Sequence, residues 1–246
     1  GSISATGKMF QRRSTVSLMG NFGEIRLGRD FSPASQHTTK FDPFGVIGLA
    51  GSSVSSRMPG AFASYYRHDN AMQYFTPTFG GAQLEVMYAP DESVTSNTGR
   101  HMATRLVYDN GPLSLSASYG TTNVNAAGSK LKQMGLAAAY DFGFVRLMGF
   151  FQRDDVPFGT YGTVTAGAED RILLGFTAPI GRHQLRGSYV RTNSRGGNAA
   201  FNGSDADKYS IGYVHNLSNR TALYTTGSYI ANKGNANFSL AGGASG

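Results

Sequence analysis

Along most of this chain, apolar and polar side chains alternate at every second position, in segments of about ten residues. Leu84, Val86 and Tyr88 share one parity, with Gln83 and Glu85 on the other. Met102, Leu106 and Tyr108 oppose His101 and Arg105 in the same way, and Tyr209, Ile211 and Tyr213 oppose Lys208 and Ser210. A period of two puts one face of an extended strand in apolar surroundings. The pattern predicts strands near 10–19, 24–31, 70–78, 82–90, 101–109, 112–120, 131–141, 144–153, 169–178, 183–192, 207–216 and 221–231. Short connections fall at Gly20–Gly23, Phe79–Gly81, Asn110-Gly111, Phe142-Gly143, Ile180–Arg182 and Leu217–Arg220, where Gly and Asn supply the positive φ that tight hairpins need. Long connections fall at 32–69, 91–100, 121–130, 154–168, 193–206 and after 232. Every second connection is short. That rhythm belongs to an all-β, antiparallel up-and-down barrel crossing a membrane.

A soluble sandwich also alternates, so the aromatics decide. Phe22, Phe79, Phe142 and Phe144 stand at or beside short turns, where a membrane barrel carries an interfacial girdle. Composition agrees. Hydrophobic residues make up 40% of 246 and charged residues only 15%. Mean hydropathy is −0.26. No segment approaches the roughly 20 apolar residues of a membrane helix, but a barrel hides its apolar face in every second residue. The 33 glycines suit turns and close-packed wall positions. The absence of cysteine excludes disulfide and thiolate chemistry.

The formal charge is +7, from 22 basic and 15 acidic residues. The basic residues are scattered through strands, which argues against a polybasic tail and against a nucleic-acid partner. The histidines His37, His68, His101, His183 and His215 sit in no nucleophile motif and at no metal-ligand spacing, and no phosphate loop is present. Neither an enzyme nor a cofactor is expected. No signal peptide stands at Gly1, so the chain reads as a processed or truncated product.

The stretch Arg12–Asp30 (RRSTVSLMGNFGEIRLGRD) resembles a strand pair of the trimeric Gram-negative general porins, in particular the arginine-rich, anion-selective branch of β-proteobacteria. Tyr74–Gly81 (YFTPTFGG) and Ile211–Tyr224 (IGYVHNLSNRTALY) resemble hairpins of that branch, so the likeness runs along nearly the whole chain. It implies an outer-membrane diffusion porin, one subunit of a homotrimer, surrounded by outer-membrane lipid and lipopolysaccharide and passing small anionic solutes. Such a porin has about sixteen strands, whereas about twelve are legible here. Residues 1–246 are therefore expected to be a single porin barrel domain truncated at both ends. Two other classes fit the pattern: a substrate-specific organic-acid channel, and a non-conducting structural or adhesive barrel.

The segment 32–69 exceeds the 12–15 residues usual for a structureless loop. The resemblance makes it the constriction loop that folds into the barrel, with Phe41, Phe44, Val46, Ile47, Leu49, Phe62 and Tyr65 as apolar anchors. Alternatively it packs outside on its own aromatics. Charge selection needs fixed charges beside a narrow aqueous path; one arginine about 5 Å from an ion contributes about 0.8 kcal/mol in water-like dielectric. The resemblance places Arg12 and Arg67 in the constriction, whereas strict alternation with Val16 and Leu18 would turn Arg13 inward instead; both are kept. Asp42 and Asp69 either oppose these arginines across the pore or cap loop turns. On the wall, Arg26, Arg105, Arg186 and Lys208 form either a basic ladder or charges balanced by Glu24, Glu85 and Asp109.

Overall fold

The computed structural model describes residues 12–56, 66–90, 98–125, 128–156, 167–197 and 202–240. Twelve strands follow one another in a single antiparallel meander. They are β1 (Ser14–Gly20), β2 (Gly23–Phe31), β3 (Arg67–Phe75), β4 (Ala82–Ala89), β5 (His101–Asn110), β6 (Leu113–Asn123), β7 (Lys130–Asp141), β8 (Arg146–Val156), β9 (Gly167–Ile180), β10 (His183–Arg195), β11 (Ala206–Ser218) and β12 (Thr221–Asn232). Every predicted strand is present. The predicted start of the first, at 10–11, lies outside the described residues. No pairing joins β1 to β12 among the described residues, so these two strands are the edges of the sheet.

The short hairpins obey their turn chemistry. Asn110 pairs with Leu113 around Gly111 (φ 55°), and Ile180 pairs with His183 around Gly181 (φ 60°). At the opposite end the strands run further than alternation predicts: β6 reaches Asn123, β9 starts at Gly167 and β10 ends at Arg195. There Asp170 faces Asn193 and Glu169 faces Ser194. Both faces are polar, so the hydrophobic period vanishes while the backbone ladder continues. An ion pair between Arg195 Nη2 and Asp170 Oδ2 at 3.2 Å spans this extension.

The two faces of the sheet invert the usual rule of burial. Leu136 is 63% exposed and Gln133 only 1%, although they are neighbours on one strand. Leu106, Leu174 and Ile211 are likewise exposed, while Gln152 and Lys208 are fully buried. An apolar outer surface around a polar interior suits a lipid solvent outside. Phe22, Phe79, Phe142 and Phe144 are all exposed at the short-turn end, as the girdle requires.

Parity is reset in β3 and, beside the last short turn, in β11 between Asn216 and Ser218. Gly28 pairs with Ala71 and Asp30 with His68, so the interval holds one more residue on β3 than on β2. Asn70 absorbs it at φ 52°. This bulge puts His68 on the buried side with Ala71 and Gln73, which strict alternation would forbid.

Candidate functional site

The long segment after β2 folds against the inner face and runs along it from β4 to β11. It begins with a helix, α1 (Pro33–Lys40), whose N-cap Ser32 accepts from Ser35 N at 3.2 Å, with proline in the first turn. Three side chains of α1 fix it to the wall. Gln36 Nε2 donates to Glu85 Oε1 at 2.6 Å, His37 Nδ1 lies 3.0 Å from Ser116 Oγ, and Lys40 Nζ reaches both Asp109 oxygens at 2.7 and 2.6 Å. Burial depresses the His37 imidazole to about 4, and the charge of Arg105 pushes in the same direction. Phe41, fully buried, then packs into a cluster with Ala139, Met148, Phe150, Leu173 and Val190.

Beyond the helix, the Asp42 carboxylate gathers three backbone N–H groups: Phe44 at 2.8 Å, Val46 at 3.1 Å and Ser52 at 2.8 Å. The wall then holds the loop by its main-chain carbonyls. Arg186 Nη1 donates to Pro43 O (3.3 Å), Lys208 Nζ to Gly51 O (2.5 Å) and Thr192 Oγ1 to Ser55 O (2.6 Å). Glycines in the wall make the room. A Cβ at Gly135 would stand 2.6 Å from His37 Nε2, and one at Gly212 would stand 2.7 Å from Phe44 Cε1. Of the expected apolar anchors, Phe41 and Phe44 serve that purpose. Ile47 does not: it is 65% exposed, because the tight turn held by Asp42 carries its side chain away from the wall. Phe62 and Tyr65 lie outside the described residues.

The predicted constriction residues separate into two groups. Arg13 Nε contacts Asp30 Oδ1 at 3.2 Å, as strict alternation anticipates, and Asp30 also receives Arg26 Nη1 at 2.8 Å. Arg12 is exposed and lies within electrostatic range of Arg67. The Arg67 guanidinium stacks 4.2 Å over the Phe31 ring and also feels the charge of Arg29. Arg29 in turn pairs with Asp69 at 2.6 Å. Three guanidinium groups thus gather with Asp69 where β1 begins, β2 ends and β3 begins, with Asp30 also in range of Arg67; by strand parity they share the side of Leu27, opposite Arg13, Asp30 and His68. Arg29 is the member that sequence reading missed. Its position beside Gly28 in the Arg12–Asp30 motif, just before the long loop, was the available signal.

The wall cations are occupied. Arg26 Nε meets Glu24 at 2.8 Å, and Arg105 Nε meets Glu85 at 2.8 Å. Both match the balanced reading rather than an open ladder. Arg186 and Lys208 serve the loop carbonyls, and Asp109 engages Lys40 instead of a wall arginine.

Residues 2–235 match the family model described as Gram-negative porin. Among characterised proteins, the chain is 36% identical over 239 residues to outer membrane porin protein 32 of Delftia acidovorans, an overlap of 93% of this chain and 66% of that protein. It is 29% identical to an outer membrane porin protein of Bordetella pertussis, over 94% of this chain and 69% of that one. It therefore spans about two thirds of the length of these relatives. Among solved structures, the anion-selective porin from Comamonas acidovorans superposes with a TM-score of 0.77 at 35% identity, covering 93% of this chain and 70% of that one. OmpT of Vibrio cholerae, lacking loop L8, shares the fold at 14% identity with a TM-score of 0.69, over 94% of this chain and 77% of that one.

Proposed function

Because this chain belongs to the Gram-negative porin family, whose place is the outer membrane and whose members are channels rather than enzymes, we propose that it builds a water-filled diffusion pore that admits small hydrophilic solutes and prefers anions. The observation that carries this reading is the loop laid along the polar inner face, pinned from Gln36 through Ser55. A segment so held narrows the path without being able to swing clear of it, and the connection expected over 32–69, whose last three residues belong to β3, acts as the constriction loop of a single barrel domain. Arg12, Arg29 and Arg67, against Asp69 and the nearby Asp30, give the long-loop rim of the path its sign. Arg13, balanced by Asp30, borders that field, and Asp42 shapes the loop that narrows the path.

Guanidinium suits the task because it stays protonated at any working pH and its planar fork matches carboxylate and phosphate oxygens. Arg12, Arg13, Arg29 and Arg67 exceed Asp30 and Asp69 by two charges, and two charges each contributing about 0.8 kcal/mol at about 5 Å favour an anion by roughly tenfold before screening. The accompanying assembly is a trimer of identical subunits, with the apolar outer surface covered by outer-membrane lipid and lipopolysaccharide. The test is the reversal potential across a potassium chloride gradient in a planar bilayer. A value near the chloride potential is expected, and Arg67→Ala should move it several millivolts or more toward the potassium side. An unchanged permeability ratio would remove Arg67 from the mechanism, and no current at all would mean a plugged barrel.

A further inference from the structure

The outer side of β9–β12 changes character along the strands. Near mid-strand, Leu174, Tyr189, Tyr209 and Tyr229 stand side by side in one outward row. The next outward row toward the short turns is Phe176, Gly187, Ile211 and Gly227. Its two glycines have no side chains to fill the surface, and a Cβ at Gly187 would stand 2.7 Å from Phe176 Cε1. The result is an apolar trough of about 730 Å³ between the rows, open on the outer side.

Toward the long connections the same surface becomes charged. Asp207 accepts from the Tyr189 hydroxyl at 2.6 Å and pairs with Lys233 Nζ at 2.6 Å and Arg191 Nη1 at 3.6 Å. Asp170 pairs with Arg195 Nη2 at 3.2 Å and Arg153 Nε at 3.6 Å. In both groups a buried carboxylate serves two cations, while the Arg191, Arg195 and Lys233 side chains stay 42%, 63% and 50% exposed. The acids sit beneath and the cations keep donors free above them. Lys130 and Lys132 extend the belt on β7, on the side of exposed Leu136. Lys130, Lys132, Arg153, Arg191, Arg195 and Lys233 thus outnumber Asp155, Asp170, Asp205 and Asp207 by two.

We propose that this surface binds an anionic membrane lipid, its phosphate on Arg191 and Lys233 and one acyl chain in the trough along Gly187 and Gly227. The inference rests on the reading of the outer surface as covered by lipid and names a site within it. Guanidinium offers phosphate a matching fork, and ammonium offers it a compact charge. Tyrosines are at home between the two, with the ring in hydrocarbon and the hydroxyl at the headgroup level, as Tyr189 is with Asp207. Gly187 and Arg191 are four residues apart on β10, about 13 Å of extended strand, so one lipid reaches both. A zwitterionic headgroup brings its own cation to a belt that already has an excess, and binds less well.

The chain has 13 tyrosines and no tryptophan, so tyrosine emission reports on this surface. The test refolds the protein into phosphatidylcholine vesicles in which a minor fraction of the lipid has brominated chains, carried either by phosphatidylglycerol or by phosphatidylcholine. Brominated phosphatidylglycerol should quench about twofold more strongly or better, and high salt should weaken the excess. Arg191→Gln combined with Lys233→Gln should bring the two lipids level. Gly227→Leu, placed where an added Cβ has its nearest neighbour at 3.9 Å, fills the trough and should cut the excess as well. Arg220→Gln removes a charge from the opposite rim and should leave it intact. Far-ultraviolet circular dichroism equal to the parent's shows that the variants are folded. Quenching requires no ion current, so a plugged barrel would fail the pore reading and leave this one standing. Equal quenching by both lipids in the parent, an excess that survives the double variant, or one lost equally in Arg220→Gln would overturn the proposal.

Discussion

The bend at which the loop leaves α1 depends on one carboxylate. Asp42 is buried and accepts from Phe44, Val46 and Ser52, so removing it strands three donors in a dry corner. Charge-assisted bonds of this kind are worth about 1.5–3 kcal/mol each, and Asp42→Ala should loosen the loop by several kcal/mol. Faster hydrogen exchange at the amides of 44–52 would record it, with the strands unaffected; unchanged protection would show that the wall contacts alone hold the bend. The sequence offers two readings of Asp42, a charge facing the pore and a turn cap. What decides between them is where three N–H groups converge, which follows from the loop's folded path and not from any local pattern. The arginine pair at the start of β1 was more legible. Alternation with Val16 and Leu18 turns Arg13 inward, and its Nε lies 3.2 Å from buried Asp30. Pairing Arg12 with Arg67 needed the resemblance, and Arg29 needed the structure.

At the scale of the element, α1 is seated through a histidine that must be neutral. In solvent His37 would titrate near its ordinary 6.5, whereas in its seat it does so at about 4. Between those values the unseated helix binds more protons than the seated one. Seating is therefore full-strength above about pH 6.5 and weakens as pH falls toward 4, by an amount on the order of 3 kcal/mol over the window. Protease clipping within 33–41 should rise on acidification from pH 7.5 to 4.5, and His37→Gln should flatten that dependence. An equal pH response in the variant would place the sensitivity elsewhere. The sequence reading expects no helix within 32–69, although Ser32-Pro33, a cap followed by a proline that favours the first turn, is a signal for its start. Its companions carry no such signal. Ser116, Asp109 and Gly135 belong to other strands, and nothing in their own neighbourhoods marks them as its seat.

For the molecule as a whole, the decisive property is that its polar residues are inside. The period-two pattern separates the two faces and the aromatics beside the short turns mark the one that meets lipid, because the fold needs little more than parity and hairpin turns to be specified. Leu136 lies on the lipid side near the middle of β7. Leu136→Arg should cost about 2–4 kcal/mol of stability in a bilayer, read as a shift in the denaturant midpoint of refolding into lipid vesicles. A neutral result would mean that this strand faces another protein surface instead of hydrocarbon. The interior was less legible, since a wall that contacts a loop uses contacts far apart in sequence.

The manner of that contact bears on how such a channel diverges. Arg186, Lys208 and Thr192 hold the loop by peptide oxygens, which every residue type possesses. Side-chain chemistry at the anchors is therefore not what holds the loop, although Gly51 admits no Cβ, which would meet Ile47 N at 2.3 Å, and the room to exchange side chains lies at exposed loop positions such as Ile47. Selectivity and attachment are written in different residues of the same loop. A lineage can thus retune what passes through its pore by substitutions along the loop without first solving again how the loop is held.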